Sequence, residues 1–304
     1  MSVATKSHET PVQNRGATRS KRITFALMTL PGLLLYSAFF IFPVLMGIYY
    51  GMTDWNGITR KFNFIGLSNY ARIFKDERFL RALLFNLRYC IMLTVCIVVL
   101  GIVLALLLNS KVKGITAYRA MYFVPAVLSG ITVGLIFNQI LYRAIPPIGQ
   151  ALGIEFLSKN ILSDPKLAVF GILFVNVWQG VAMPTLLFLA GLQSIPTDLY
   201  EAASLDGANT LQQFWYITLP FLVPVLTVVM VLTVKGGLMI FDYIKALTDG
   251  GPGGVTESVS LLIYSNAFNE NKYSYAIAEA IIVGIIIALI SAVQISISNK
   301  KKVD

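Results

Sequence analysis

The sequence predicts an all-α membrane protein with six transmembrane helices. Of its 304 residues, 56% are apolar and only 13% are charged, whereas soluble domains have about 25% charged residues. The mean hydropathy is +0.73, and each of six apolar stretches exceeds the about 20 residues that a helix needs to cross a bilayer. This composition excludes a secreted enzyme, a nucleic-acid-binding protein and a disordered scaffold.

The six stretches share the length and low charge of spanning helices. They cover residues 23–50, 83–109, 117–141, 167–192, 217–241 and 276–298. The first is longer than the apolar core of about 7 to 15 residues in a signal peptide, so we expect it to remain as a helix. In the second, Cys90 and Cys96 are the only cysteines of the chain, and we expect apolar packing rather than a disulfide.

The basic residues predict that both termini are cytoplasmic. Five lysines or arginines and one acid lie in the tail of residues 1–22, and residues 300–302, in the tail of residues 299–304, are all lysine. Lys111 and Lys113, after the second stretch, agree, because short cytoplasmic loops retain Lys and Arg. The loop of residues 51–82 should then lie outside, yet it carries six cations and several aromatic residues. Such a loop fits short helices on the bilayer surface, or contact with an external protein.

The number of histidines and the absence of a phosphate-binding motif exclude several kinds of catalytic site. The only histidine, His8, lies in the N-terminal tail, which excludes a histidine metal site and a Ser-His-Asp triad. The chain has no phosphate-binding G-x-x-x-x-G-K-[ST] loop. We therefore expect no catalytic residue, no metal site and no cofactor in this chain.

The segment of residues 193–216 departs from the charge trend of the other cytoplasmic loops. It has no Lys or Arg and three acids, Asp198, Glu201 and Asp206. A cytoplasmic loop that lacks basic residues and carries acids suggests contact with a cytoplasmic partner.

Local signals in that segment predict two short helices with a corner between them. Pro196 suits a first helical turn, and Gly207 suits a helix stop with positive φ. Thr210 and Gln213 have the spacing of a capping box at the start of the second helix. These signals predict a compact helical knob whose surface carries one acid, Glu201, and two small residues, Ala202 and Ala203.

These residues resemble a known motif. Glu201-Ala202-Ala203, Asp206-Gly207-Ala208 and Ile217-Thr218-Leu219-Pro220 resemble the EAA motif of the membrane subunits of bacterial binding-protein-dependent ABC importers. The run Leu247-Thr248-Asp249-Gly250-Gly251-Pro252 resembles the LTxGGP outer loop of the carbohydrate-uptake branch. Pro31-Gly32, Phe42-Pro43 and Ile65-Gly66-Leu67-Ser68-Asn69-Tyr70 resemble the start of its MalF/UgpA-type subunit.

The resemblance implies an ABC importer permease with the MetI-like fold in a bacterial cell membrane, its permease domain covering residues 23–298 and its coupling loop residues 193–220. It implies import of a sugar or sugar derivative, such as an oligosaccharide, a polyol or an acidic sugar. The implied partners are a second, different permease, an ATPase dimer that binds ATP and Mg, and an extracytoplasmic solute-binding protein, with no nucleic acid. The implied ATPase-coupling residues are Glu201, Ala202, Ala203, Asp206, Gly207, Leu219 and Pro220.

Polar residues within the spans are candidates for the solute pathway, because such groups are unfavourable in lipid unless they face a cavity or another helix. The candidates are Asn138, Asn176, Trp178, Gln179, Lys235, Asp242 and Glu279. Amides and aromatic rings bind sugars, but for any single amide a bond between helices is the favoured explanation. Asp242, just before the outer loop, suits a structural or gating role.

Lys235 and Glu279 lie at similar depth by residue count, which leaves three alternatives. They form an ion pair, or Lys235 contacts an anionic group of the solute, or Lys235 extends to the outer surface. Two rival functions also remain at this stage. One is an ion-coupled secondary transporter with a relay of Lys235, Asp242 and Glu279, and the other is an intramembrane enzyme.

Overall fold

A computed structural model describes residues 15–109 and 115–300 of the chain. In these residues all regular structure is helical, apart from an isolated bridge between Thr53 and Phe64. Residues 1–14 and 301–304 of the predicted tails lie outside the described residues, as do Lys111 and Lys113. The chain divides into two units, residues 1–50 and residues 51–304.

The first unit is one continuous helical rod. It consists of α1 (Arg15–Tyr36), a π-helical turn (Ser37–Ile41) and α2 (Phe42–Gly51), whose last residue begins the second unit. The part long and apolar enough to cross a membrane is Thr24–Gly51, with a mean hydropathy of 2.0. The first predicted span is therefore confirmed to within a residue at each end.

The second unit contains the remaining helices. They are α3 (Ser68–Ile73), α4 (Glu77–Leu108), α5 (Ile115–Phe123), α6 (Gly130–Gln139), α7 (Ile145–Ala151), α8 (Ala168–Gly180), α9 (Ala182–Gln193), α10 (Thr197–Leu205), α11 (Thr210–Gln213), α12 (Leu219–Leu238), α13 (Asp242–Leu247), α14 (Val259–Tyr264) and α15 (Tyr273–Lys300). π-Helical turns join α6 to α7 (Ile140–Ala144) and α11 to α12 (Phe214–Thr218), and another follows α14 (Ser265–Asn269).

Five helical segments of the described residues meet the length and hydropathy of a membrane span, and a bent pair supplies a sixth. The five are Thr24–Gly51, Glu77–Leu108, Gly130–Ala151, Thr210–Leu238 and Tyr273–Ser296. The sixth combines α8 and α9, whose axes differ by 46°. The predicted all-α fold with six spans is confirmed.

The third span was predicted at the wrong place. The sequence suggested residues 117–141, whereas the continuous helix is Gly130–Ala151. α5 ends at Phe123, a 3₁₀ turn follows at Val124–Val127, and Ser129 is extended with φ −68° and ψ 134°. Pro125 in this turn lacks an N–H, so an α-helix cannot run through it undisturbed. A hydropathy window cannot detect such a break, because the residues on both sides of it are apolar.

Packing centres on α4, which contacts α9 and α12. Its buried residues Tyr89, Leu93 and Ile97 recur every three or four positions, as one face of a helix requires. Gly237 of α12 lies against Cys90, and a Cβ there would approach the Cys90 Cα to 2.9 Å. The glycine therefore permits the close approach of these two helices.

An amide side chain of α4 holds the ends of two other helices. The buried Asn86 of α4 donates from Nδ2 to the carbonyl of Leu238 at 2.6 Å, and its Oδ1 accepts from the N–H of Val259 at 3.0 Å. Leu238 ends α12 and Val259 begins α14, so Asn86 satisfies one free carbonyl and one free N–H at helix ends.

A cluster of charges links α4 to the loops before α14 and α15. Arg78 donates to both carboxylate oxygens of Glu257, at 2.9 and 2.7 Å, and to Oε1 of Glu270 at 2.6 Å. Lys272 also donates to Glu270, at 2.7 Å. Hydrogen bonds from Lys272 and Arg78 lower the pKa of Glu270. The Glu270 contribution to stability is therefore present at neutral pH and is lost as the pH falls through the range of this carboxyl.

We predict that Arg78→Gln lowers the free energy of unfolding by about 1 to 2 kcal/mol, a value reduced for the partial exposure of the pair. The substitution leaves Glu257 and Glu270 without their shared cation. The measurement is thermal unfolding of the purified protein at pH 7, with Arg60→Gln in the exposed loop as the matched loss of charge. Equal unfolding midpoints for the two variants would contradict the prediction.

Candidate functional site

The acidic segment between the fourth and fifth spans forms a sharp helical elbow, here defined as α10, Gly207 and α11. At the end of α10, Ala208 N–H donates to the carbonyl of Ala203 at 2.9 Å and Gly207 N–H donates to that of Ser204 at 3.1 Å. These two bonds form a Schellman motif. Gly207 has φ +80°, which confirms the predicted helix stop. A Cβ there would meet no atom within 4 Å, so the backbone angle alone requires glycine.

The start of α11 differs from the prediction by one residue. Asn209 caps the helix, since its Oδ1 accepts from Gln212 N–H at 2.9 Å while Gln212 Oε1 accepts from Asn209 N–H at 2.8 Å. The predicted pair Thr210 and Gln213 has the same spacing, but asparagine is the better cap. Pro196 likewise precedes α10 instead of lying in its first turn.

Two further contacts make the elbow rigid. Gln213, which the capping box does not use, donates from Nε2 to Ser204 Oγ at 2.9 Å and to the carbonyl of Ala208 at 3.3 Å. Tyr200 of α10 and Thr218 at the base of α12 share a hydrogen bond of 2.9 Å between their hydroxyls. Both arms of the elbow are thus braced against each other and against the fifth span.

The elbow presents acidic and large apolar side chains outwards. Glu201, Ala202, Asp206 and Gly207 are exposed, and Ala203 is partly buried. Within the described residues Glu201 has neither a hydrogen-bond nor an ion-pair partner. Large exposed apolar residues on or just after the elbow are Leu205 (90% exposed), Leu211, Trp215 and Tyr216 (80%). Several exposed apolar side chains on one small element are typical of a protein contact surface.

The last two coupling candidates lie where the elbow passes into the fifth span. Leu219 begins α12 and Pro220 occupies its first turn, directly after the π-helical turn Phe214–Thr218. The elbow is therefore continuous with α12 through this turn.

A cavity of ≈ 390 Å³ lies at the bend between α8 and α9. Its wall includes Asn176 and Gly180 at the bend, Thr233 of α12, and Asp242 and Tyr243 of α13. Asn176 donates from Nδ2 to the hydroxyl of Tyr89 at 2.8 Å. Hydroxyl, amide and carboxylate groups in an otherwise apolar wall are able to hydrogen-bond a polar solute.

The structure brings only part of the predicted pathway set to this cavity. Asn176 and Asp242 line it. Lys235 is exposed and lies on the same helical face as the lining residues Leu232 and Met239, which are three positions before it and four positions after it. No described residue forms an ion pair with Lys235.

Other candidates bond backbone groups or pack elsewhere. Gln179 donates to the carbonyls of Pro125 at 3.1 Å and Leu128 at 2.7 Å, and it accepts from the hydroxyl of Tyr243 at 2.8 Å. Asn138 donates to the carbonyl of Leu247 at 2.7 Å. Trp178 lies against the ring of Phe137 at 5.0 Å and lines a separate apolar cavity of ≈ 780 Å³.

The proposed ion pair between Lys235 and Glu279 does not form. Glu279 is 0% exposed, and its two carboxylate oxygens accept from Asn266 Nδ2 at 2.9 and 2.8 Å. Residue counting fixed only the depth of each side chain in its helix. It left open the direction in which each points around the helix axis, and Lys235 points to the exposed face.

Sequence reasoning missed Thr233 and Tyr243 as cavity residues. Thr233 is a polar residue within the fifth span, two positions before Lys235, so the criterion that selected Lys235 also applied to it. Tyr243 directly follows Asp242 and also bonds Gln179. Its position could not be read from the sequence, because α13 folds back against α6 and α8.

Residues 77–302 match a family described as "Binding-protein-dependent transport system inner membrane component". The chain is 47% identical over 271 residues to the multiple sugar-binding transport system permease protein MsmF of Streptococcus mutans, covering 89% of this chain and 93% of that protein. It is 33% identical over 282 residues to the probable starch degradation products transport system permease protein AmyD of Thermoanaerobacterium thermosulfurigenes, covering 93% and 96%.

Among solved structures, a chain of a bacterial ABC transporter involved in the import of the acidic polysaccharide alginate superposes with a TM-score of 0.81. The sequence identity is 22%, and the superposition covers 94% of this chain and 99% of that chain. At this identity the likeness shows the fold.

We predict that Gln179→Leu lowers the free energy of unfolding by about 1 to 3 kcal/mol, because two carbonyls and one hydroxyl lose their partner within the membrane region. Tyr243→Phe removes one of these three bonds and should cost less than about 1 kcal/mol. Thermal unfolding of both purified variants measures the difference. Equal losses would show that the carbonyls of Pro125 and Leu128 do not depend on Gln179.

Proposed function

The chain belongs to the family of binding-protein-dependent transport system inner membrane components, and on this premise we propose that it is the permease subunit of an ATP-driven importer for a sugar or sugar derivative. Its fold, predicted as that of an ABC importer permease, is confirmed by the family match and the superposition. The observation that carries the proposal is the braced elbow with Glu201 exposed between the fourth and fifth spans. The printed names of the relatives support a sugar as the solute.

In this proposal the elbow docks in a groove of a separate ATPase subunit. Glu201, unpaired among the described residues, would meet a basic residue there, and Ala202 would allow close approach. An ion pair that is partly removed from water at an interface contributes more than an exposed one. ATP and Mg are bound by the ATPase dimer, a second permease completes the membrane pore, and an extracytoplasmic binding protein delivers the solute.

The rigidity of the elbow provides the coupling mechanism. When ATP binding closes the ATPase dimer, each docked elbow moves as one body, because Gln213 and Tyr200 fix its arms. α12 starts at the elbow and lines the cavity with Thr233 and Gly236, about 20 Å further along the helix. The motion therefore changes the cavity wall and opens it to the outside, and ATP hydrolysis resets it.

The cavity and Lys235 favour a polar solute with an anionic group. Lys235 is on the cavity-lining side of α12 without a carboxylate partner among the described residues, and Asn176 and Thr233 supply groups that bond hydroxyls. The relay required for an ion-coupled transporter is not assembled, since Glu279 is buried against Asn266 and does not line the cavity. We further propose that both termini are cytoplasmic, which places the elbow on the ATPase side of a bacterial cell membrane.

We predict that Glu201→Lys leaves the protein inserted but abolishes coupling to the ATPase. The elbow then presents a cation to a basic groove, while its own fold is unchanged because the Glu201 side chain has no hydrogen-bond or ion-pair partner among the described residues. The readouts are the amount of ATPase subunit that copurifies and the uptake of labelled solute. Asp198→Lys is the matched control, with the same charge change one turn away on α10.

Gly207→Asp should produce the same loss through strain, since a Cβ at φ +80° costs about 1 to 2 kcal/mol. Wild-type copurification together with normal uptake in both Glu201→Lys and Gly207→Asp would refute the coupling role of the elbow.

A separate prediction concerns the solute. Lys235→Gln should reduce the uptake of an acidic sugar at least tenfold, as expected for loss of a charge-assisted bond of about 1.5 to 3 kcal/mol, and should spare a neutral sugar. Glu279→Gln should leave this preference unchanged, because its side chain is remote from the cavity. If both variants transport acidic and neutral sugars alike, Lys235 does not recognise charge.

A further inference from the structure

The outer loop and the start of α4 carry cations that neither the coupling elbow nor the solute cavity uses. Residues 51–82 hold six lysines and arginines, although such residues are retained on the cytoplasmic side of most short loops. Arg78 is compensated by Glu257 and Glu270. Arg81 and Arg88 are exposed, and no described carboxylate pairs with either of them.

Arg81 and Arg88 lie on one face of α4, because seven residues make about two helical turns. Both line a cavity of ≈ 560 Å³ whose opposite wall is formed by Gly253, Gly254 and Glu257 of the loop before α14. The carboxylate of Glu257 accepts two bonds from Arg78, so this acidic wall is already neutralised. The charges left in the cavity are the two arginines.

The same face of α4 continues below the arginines as an exposed apolar stripe. Leu84, Ile91, Val95 and Val99 follow the spacing of three and four residues that begins at Arg81, and Ile91 and Val95 are 66% and 57% exposed. Residues 89–108 contain no charged residue, which is about the length that crosses the hydrocarbon core. Arg88 therefore lies at the boundary between the hydrocarbon core and the headgroups.

Side-chain direction places both guanidiniums on the headgroup side of α4. Side chains of a helix lean towards its N-terminus, and Glu77 begins α4 on the side of the headgroups. The Arg88 guanidinium is thereby directed away from the hydrocarbon and into the cavity that Arg81 also lines. Such a pair above an exposed apolar stripe matches an anionic phospholipid, with a phosphate at the arginines and an acyl chain along Ile91 and Val95.

We propose that α4 binds an anionic phospholipid through Arg81 and Arg88. The face is opposite to Asn86, Cys90, Leu93 and Ile97, which pack inwards or line the solute cavity, so the arginines do not meet the solute. The apolar stripe at membrane depth favours lipid over the acidic surface of a soluble protein. The proposed orientation of the chain serves only to name the leaflet, which is the outer one.

The experiment is native mass spectrometry of the delipidated full-length chain, with any subunits that copurify, titrated with phosphatidylglycerol or phosphatidylcholine. Wild type should retain phosphatidylglycerol in preference. Arg81→Gln/Arg88→Gln should weaken its binding roughly thirtyfold without affecting phosphatidylcholine, as expected for two cations near an anionic headgroup. Arg81→Lys/Arg88→Lys should retain binding, which excludes misfolding as the cause.

The matched control is Arg60→Gln/Lys61→Gln, which removes two charges from the same outer loop but away from the α4 stripe, and should bind like wild type. Equal losses in the two double variants would overturn the proposal in favour of general surface charge. Displacement of the lipid by equimolar soluble glycerol phosphate would overturn it in favour of a phosphate site. Loss of a protein partner with unchanged lipid binding would assign the arginines to that partner. None of these outcomes depends on transport or on ATPase coupling.

Discussion

Free backbone groups at helix ends and helix breaks, within the membrane and at its edge, constrain how the helices of this structure are arranged. Lipid offers no hydrogen bonds, so each free carbonyl at a break must find a donor within the protein. Asn86 bonds the carbonyl that ends α12, Asn138 bonds the one that ends α13, and Gln179 bonds two at the break between α5 and α6. These three amides hold broken helices in one arrangement.

The amides that bond backbone carbonyls can be distinguished from those that line the cavity. Asn138 and Gln179 were candidates for solute binding on composition alone, but their donors are committed to backbone carbonyls. What remains near the cavity is a smaller set, of which Asn176, Thr233 and Asp242 line the wall. Gln179 directly precedes the bend at Gly180, where the cavity lies. The bonds that stabilise the break between α5 and α6 are therefore next to the bend that forms the cavity.

Charged residues are arranged differently at the elbow and at the Arg78 cluster. At the elbow, acids are exposed and have no partner in the part of the chain that the structure describes, and the backbone is braced by neutral hydrogen bonds such as that of Gln213 with Ser204. At the opposite end, Arg78 binds two carboxylates that come from distant parts of the chain. The braced elbow is suited to transmit movement, whereas the charge cluster ties α4 to the loops before α14 and α15.

Local sequence signals were sufficient to predict the number of spans, the elbow and its stop at Gly207, because hydropathy, helix capping and the φ preference of glycine act over a few neighbouring residues. The same signals misplaced the third span, because apolar residues flank Pro125 on both sides, and they misplaced the capping box, because two overlapping residue pairs fit its spacing. The separation of Lys235 from Glu279 and the bonding of Gln179 to the backbone became visible in the three-dimensional arrangement of the helices. Those facts depend on the rotation of each helix about its axis, which is set by packing between distant segments such as Gly237 against Cys90 and is not encoded in any single stretch.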